Sequence, residues 1–336
     1  MATIRDVARR AKVAVSTVSA VINQSAPVSQ AVVSRVEAAI RETGYTPNVA
    51  ARSLRNGDSR LIGLVVPDIS NPFFSALARI IETRCLAAGY MSFVYNTDED
   101  PKREEQILGM MHMQRVAGLI LTPTESSAEH GAKLSKHLKV PTILLDRHVA
   151  GTDFEAVVLD NRQAAHMAAD YLLRLGHRRI AIVAGREGVS SAEERLDGCR
   201  QAFAQRGVAF DEKLVLRGDY DQTRALGVTQ RVLSGAERLT AVLAFNNVMT
   251  IGILRGLHNL GLSCPKDVSI IGIDDFDWAE AVQPRLTVVA QPVAEMAERA
   301  IDRLLARLAG EAPSEQRLHV FEPVLIARES CIRAEN

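Results

Sequence analysis

Along the first 45 residues, apolar side chains recur at helical spacing in three stretches: Ile4, Val7, Ala8, Ala11; Val18, Val21, Ile22; and Val32, Val33, Val36, Ala39, Ile40. Each traces one stripe of a short amphipathic helix. The first has a clear start: Thr3 can accept a hydrogen bond from the first turn and Asp6 can answer, a capping box at the positive end of the helix dipole. A tight connection at 12–15 and the small Ala8 let the first two helices cross closely. Ser29 is the expected N-cap of the third and Gly44 its stop. From Leu61 onward the pattern changes to short apolar runs, at 61–66, 91–95, 118–121, 142–145, 157–159, 180–184, 241–245 and 268–273, with a further strand at 287–290. Amphipathic segments at 72–88, 103–114, 162–175, 192–206, 220–233, 248–260 and 293–309 alternate with them. That alternation predicts an α/β body of strand-helix units around parallel sheet, either closed as a barrel or open and doubly wound.

Two short helices so spaced at the start of a chain have the form of a helix-turn-helix. The solvent face of the second would enter a DNA major groove, with Val15, Ser16, Thr17, Ser19 and Ala20 as the exposed candidates. Thr3 and Asn23, at the ends of the pair, complete that face. Charge supports the division. Residues 1–60 hold nine basic and four acidic side chains, a net of +5, while the whole chain is neutral. The remaining 276 residues therefore carry −5. A basic module on an acidic body is the asymmetry expected when one part touches phosphates and the other stays off them.

With the segment at 46–56, Thr-Pro-Asn-Val-Ala-Ala-Arg-Ser-Leu-Arg-Asn, the chain resembles the lactose-repressor (LacI/GalR) family of bacterial transcription regulators over essentially its whole length. The resemblance favours two doubly wound parallel sheets in a two-lobed, periplasmic-binding-protein-like body over a barrel. It implies a DNA-binding domain at 1–47, a hinge helix and linker at 48–60, and an effector-binding and dimerisation domain at 61–336. In that domain the first lobe spans about 61–160 plus 291–320, and the second about 162–288 plus 321–336. In the hinge, Leu54 would act as a minor-groove wedge, with Ala51, Arg52 and Arg55 beside it near the phosphates. A homodimer on a palindromic double-stranded operator is the implied assembly. The C-terminal Ser-Cys-Ile-Arg-Ala-Glu-Asn has no heptad tail, so no tail-mediated tetramer is expected.

An effector between the lobes would meet the residues that follow each strand. Ser70 lies in the loop after the first strand, where Phe73 or Phe74 can offer a flat apolar face to a sugar ring. One phenylalanine is expected to plug the core and the other, Phe74 by the family's pattern, to face the ligand. Asp146 and Arg147 end the fourth strand, Asp160 the fifth, Asn246 the seventh and Asp274 the eighth. Each alone would more often be a cap or turn residue; together they converge. By resemblance Ser191, Arg195, Tyr220 and Gln291 join this shell, Arg195 with its fixed donor fork. Asp274 and Asp275, adjacent after a strand, should diverge.

Departures from the family's pattern are specific. Lys12 stands where Gly or Asn usually makes the turn, so the backbone there must be left-handed or turn differently. Ala14 replaces a common capping Ser, and Ala20 a base-reading polar residue. With Val15 and Ala20 both apolar, apolar contact to thymine methyls is favoured over bidentate bonds to guanine. Asn247 replaces a common Asp. Val189 stands where purine-responsive members have an Arg, which leaves a sugar or sugar derivative as the expected effector.

The four cysteines are widely separated, the eight histidines show no ligand spacing, and no phosphate-binding or nucleophile-elbow motif occurs. No metal, no cofactor and no catalytic residue is expected. No run of apolar residues is long enough for a membrane span, and a signal stretch is absent, so a cytoplasmic location is expected. The rival reading is a sugar-binding or sugar-processing protein with a repurposed N-terminal module.

Overall fold

The computed structural model describes residues 2–23, 26–45, 59–235 and 239–334. The hinge residues Ala51, Arg52, Leu54 and Arg55 lie outside the described residues, as does the side chain of Asn23. The chain forms two compact units, Met1–Ser59 and Arg60–Asn336.

The first unit holds α1 (Ile4–Ala11), α2 (Val15–Asn23) and α3 (Gln30–Thr43) around Val7, Ala8, Ala11, Val18, Val36 and Ala39. The capping box forms: the Thr3 N–H donates to Asp6 Oδ2 at 2.9 Å, and the Asp6 N–H donates to Thr3 Oγ1 at 3.4 Å. Lys12 takes the left-handed turn with φ 53°, the conformation that Gly would adopt without a Cβ penalty. Gly44 ends α3 at φ 61°. Ser29 precedes α3 in extended backbone, but its side chain makes no capping bond, a correction to the expected cap.

The second unit contains two six-stranded sheets. One holds β1 (Leu61–Val66), β2 (Met91–Asn96), β3 (Gly118–Leu121), β4 (Thr142–Leu145), β5 (Glu155–Leu159) and, late in the chain, β11 (Leu318–Phe321), in the order 11-5-4-3-1-2 and parallel throughout. The other holds β6 (Ile180–Ala184), β7 (Val215–Arg217), β8 (Ala241–Ala244), β9 (Ser269–Ile273), β10 (Thr287–Ala290) and β12 (Val324–Ile326), in the order 12-10-9-8-6-7, with β12 antiparallel to β10. The sheets are open, so the barrel is excluded. The strands β7, β11 and β12 were not legible in the pattern because they are short edge strands with exposed or half-buried positions.

Helices α4 (Pro72–Ala87), α5 (Pro101–Met113), α6 (Ala128–His137), α7 (Asn161–Arg174), α8 (Ser190–Gln205), α9 (Gln222–Leu233), α10 (Asn247–Asn259), the short α11 (Trp278–Ala281) and α12 (Val293–Leu308) flank the sheets. Met296, Ala297, Ala300, Ile301 and Leu304 of α12 pack into the core of the first sheet, so the chain leaves the second sheet after β10 to complete the first. Helices α7 and α8 approach closely because α7 presents Ala165 and Ala169 and α8 presents Gly198, where a Cβ would meet the Arg162 carbonyl. In both sheets the order reverses beside the first strand, at β2-β1-β3 and β7-β6-β8. The crevice outside the strands' carboxyl ends at such a switch point is where open α/β sheets bind ligands.

Candidate functional site

The two sheets build the same apparatus. Asp146 follows β4 and Asp274 follows β9, both left-handed at φ 69° and 81°. Their N–H groups donate to Val157 of β5 and Val289 of β10, each at 2.9 Å. After the edge strands β2 and β7 the chain reads Asp98-Glu99-Asp100-x-x-Arg103 and Asp219-Tyr220-Asp221-x-x-Arg224. In both, the first Asp pairs with the Arg, the second Asp caps the next helix, and the first two residues are left-handed. Among the described residues, eight non-glycine residues have this backbone, and six of them (Asp98, Glu99, Asp146, Asp219, Tyr220, Asp274) line the cleft or its mouth. Strained backbone concentrated this way marks a functional site.

One cavity gathers Phe73, Phe74, Asp146, Arg147, Ser191, Arg195, Tyr220, Asn246, Asp274 and Gln291 from the two sheets, with Asp68, Asn71 and Glu99. Phe73 and Phe74 meet edge to face at 5.0 Å, and both are buried in the core of the first lobe. Both also line the cavity, so burial alone does not separate a plug from a platform. Tyr220 lies over Gly185, whose missing side chain leaves room for the ring, and its hydroxyl is 3.1 Å from Ser191 Oγ.

The charged groups are tied unequally. Arg147 is clamped: Nη1 and Nη2 donate to the two Glu99 oxygens at 2.8 and 2.5 Å, Nη1 also to the Pro123 carbonyl, and the guanidinium lies 5.3 Å from the Tyr220 ring centre. Burial works against its charge, but Glu99 more than restores it, so Arg147 is held cationic. Arg195, 3% exposed, donates from Nε to Asn161 Oδ1 at 2.8 Å and from Nη1 to the Phe245 carbonyl. Asp274 accepts from Gln291 Nε2 at 2.6 Å and from the Asn247 N–H at 3.3 Å. Burial raises its pKa, with Arg195 and these donors opposing. Burial pushes Asp146 up to about 6, against the pull of Arg147 and Arg195.

Bonds between the lobes surround the cavity. Asn247 Nδ2 donates to Asn71 Oδ1 at 2.9 Å, and His148 Nε2 lies 2.9 Å from Glu194 Oε1. Asp275 turns away to Arg328, as expected of an adjacent pair. Two expected residues do not line the cavity. Ser70 is exposed and donates to its neighbour Asp68, and Asp160 caps α7 by accepting from the Gln163 N–H at 2.8 Å. A carboxylate at a strand end that also starts a helix is drawn to the helix's free N–H groups. The expectation missed Glu99, which the repeated Asp-x-Asp-x-x-Arg spacing would have exposed.

On the N-terminal unit, Val15 is 38% exposed and Ser16 is exposed, while Thr17, Ser19 and Ala20 are half-buried. The Ala14 carbonyl takes the first bonds of α2, from the Thr17 and Val18 N–H groups, without a side-chain cap. Arg5, Arg9, Arg10 and Lys12 of the same unit are exposed, Arg10 paired with Glu42 of α3.

A helix-turn-helix and a two-lobed body with a polar cleft at paired switch points define a ligand-responsive DNA-binding protein. Residues 3–48 match the bacterial regulatory proteins of the lacI family, and residues 169–331 match a periplasmic binding protein-like domain. The ribose operon repressor of Escherichia coli K12 is 34% identical over 330 residues, covering 98% of this chain and 100% of that protein. A crystal structure of the lac repressor dimer bound to operator and the anti-inducer ONPF superposes with a TM-score of 0.86 at 26% identity, covering 98% and 99% of the two chains. A regulator of the same family from Enterococcus faecium, with bound ribose, superposes at 0.72 with 29% identity, over 82% of this chain and 100% of that one. The chain belongs to the LacI family of bacterial transcription regulators.

Proposed function

We propose that this protein is a transcriptional repressor that binds a palindromic operator through the exposed face of α2 and is controlled by a sugar held between its lobes. The observation that carries the reading is the convergence of Asp146, Arg147, Arg195, Asn246, Asp274 and Gln291 with aromatic walls on one cavity, in a chain that also carries a helix-turn-helix. Acceptors and donors around an apolar face suit a ligand with a polar rim and apolar C–H surface. The ribose bound by the Enterococcus relative supports the same class.

The protein acts as a homodimer. The edge strand β2 and the neighbouring α4 and α5 expose Leu86, Met91, Val94, Met110 and Met113, apolar surface suited to a second copy. Its place of action is the cytoplasm, and the sugar is bound without turnover. The sugar changes DNA affinity through its differential affinity for two lobe arrangements, a coupling of about 1–3 kcal/mol in typical systems.

The test is fluorescence anisotropy of the full chain against a pool of palindromic duplexes, with salt varied and sugars added. Selection of a sequence subset, a steep salt slope and a shift with one sugar are the expected results. Sequence-indifferent binding unmoved by any sugar, or chemical conversion of the sugar on long incubation, would overturn the reading.

A further inference from the structure

The lobes also meet through residues that do not line the cavity, along the segment between β3 and α6. Ser126 spans the gap twice: its N–H donates to the Gly188 carbonyl at 3.3 Å, and its hydroxyl oxygen accepts from the Ser190 N–H at 2.9 Å. Ser190 opens α8 in the second lobe, and its own hydroxyl accepts from the His148 N–H of the first lobe at 3.2 Å.

What holds Ser126 within reach is buried on α5. Glu104 is 1% exposed; its Oε2 accepts from the Thr124 N–H at 2.8 Å, and its Oε1 lies 2.8 Å from His130 Nε2 on α6. Glu125 stands 3.8 Å from the other ring nitrogen. Burial works against a charge on His130, but Glu104 and Glu125 more than restore it against Lys133, so the ring is held more basic than an ordinary histidine. The buried carboxylate thus has a donor at one oxygen and a cation at the other, the condition under which such a charge is tolerated. Ser127 fixes the far end of the segment by accepting from the His130 N–H at 3.1 Å.

We propose that Glu104 is a positioning residue for the contact between the lobes: it seats the segment 122–127 so that Ser126 reaches the second lobe, and thereby sets the balance between the two lobe arrangements from outside the ligand site. Glu104 lines neither the cavity nor its mouth. Its effect needs only the two-lobed fold and holds for any ligand of the cleft. Thr124 has no exposed surface, so without the carboxylate its N–H is left buried and unpaired, and the segment gains by moving to where water reaches it. That movement withdraws Ser126, and both of its cross-lobe bonds go with it.

The test is hydrogen-deuterium exchange of the full chain at one pH, read by mass spectrometry over 122–127, over 186–191 in the opposite lobe, and over the buried strand β8 as reference. Glu104→Met, close in shape and without an acceptor, should speed exchange at least about tenfold in both segments while β8 keeps its protection. Glu104→Gln keeps an oxygen for the Thr124 N–H and should leave both segments within about threefold of the unaltered chain. Ser126→Ala takes away the acceptor of the Ser190 N–H and should speed 186–191 with Glu104 untouched. In the double variant the two effects on 186–191 should fall short of multiplying, because both remove one contact. If loss of protection in β8 shows that Glu104→Met fails to fold, the smaller Glu104→Ala takes its place. Faster exchange confined to 122–127 overturns the proposal, since Glu104 then holds its own lobe alone. So does an unchanged 186–191 in Ser126→Ala, and so do equal losses in Glu104→Gln and Glu104→Met.

Discussion

The two lobes carry the same strand order, the same left-handed aspartate after the fourth strand and the same Asp-x-Asp-x-x-Arg turn after the edge strand, yet they use them differently. In the second lobe Asp274 is occupied by Gln291 and Asn247, and the middle residue of the turn is the aromatic Tyr220. In the first, the carboxylate of Asp146 accepts no hydrogen bond among the described residues, and the middle residue is the anion Glu99, bound to Arg147. Equivalent backbone positions thus carry different hydrogen-bond partners in the two lobes. Geometry inherited by both halves sets where a side chain points, while the hydrogen-bond partners around it decide whether it is free to bind anything.

The comparison fails most visibly if the second lobe does not anchor the ligand. Arg195 is a guanidinium of that lobe lining the cavity, and Arg195→Ala removes the positive charge that counters the raised pKa of Asp146 and Asp274 while leaving Asn161 and the Phe245 carbonyl without their donor. Effector affinity should fall at least about a hundredfold in titration calorimetry. A loss below about tenfold would place the anchor in the first lobe. Stability should separate the two aspartates next. Asp274→Asn gives up one of two accepted bonds and should lower the unfolding free energy by about 1–2 kcal/mol in urea. Asp146→Asn loses no bond and removes a buried charge, so its stability should stay within about 0.5 kcal/mol or rise. Equal losses at the two positions would erase the distinction drawn between them.

Much of this was legible in the chain because periodicity and strand-end chemistry are local. The helical stripes around Val7, Val18 and Val36 and the apolar runs before Pro67, Asp146, Asp160 and Asp274 announce their elements through side-chain spacing alone. Of the two backbones left open at Lys12, the left-handed one forms, with φ 53°. Asp160 read as a ligand contact for the same reason Asp146 did, since both end a buried strand. What separates them is the partner: Asp160 caps a helix that starts at once, and that assignment belongs to tertiary context. Glu99 escaped because it lies beyond the turn residue Asp98 rather than at the end of β2 itself, and because pairing with Arg147 spans 48 residues. The edge strands β11 and β12 escaped because most of their positions are exposed or half-buried, so neither carries a buried apolar run.

The smallest expected effect is also the most discriminating, because it asks which aspartate titrates with the ligand. Burial lifts Asp146 from the ordinary 3.8 to about 6, with Arg147 and Arg195 opposing and Asp274 and Glu99 adding. Its ionisation therefore removes stability as pH rises through that window, since the folded state binds a proton the unfolded chain has already lost. The ligand acts with the opposite sign, because hydroxyl donors favour the ionised carboxylate. Affinity should be full above about pH 7 and fall roughly fourfold from about pH 7.5 to about 5.5, as the ionised fraction of a group titrating near 6 declines. Asp146→Asn should flatten this profile, and Asp274→Asn should keep it but move it to lower pH, because the charge it removes helps raise Asp146. A profile flattened by the Asp274 substitution instead would exchange the roles of the two lobes.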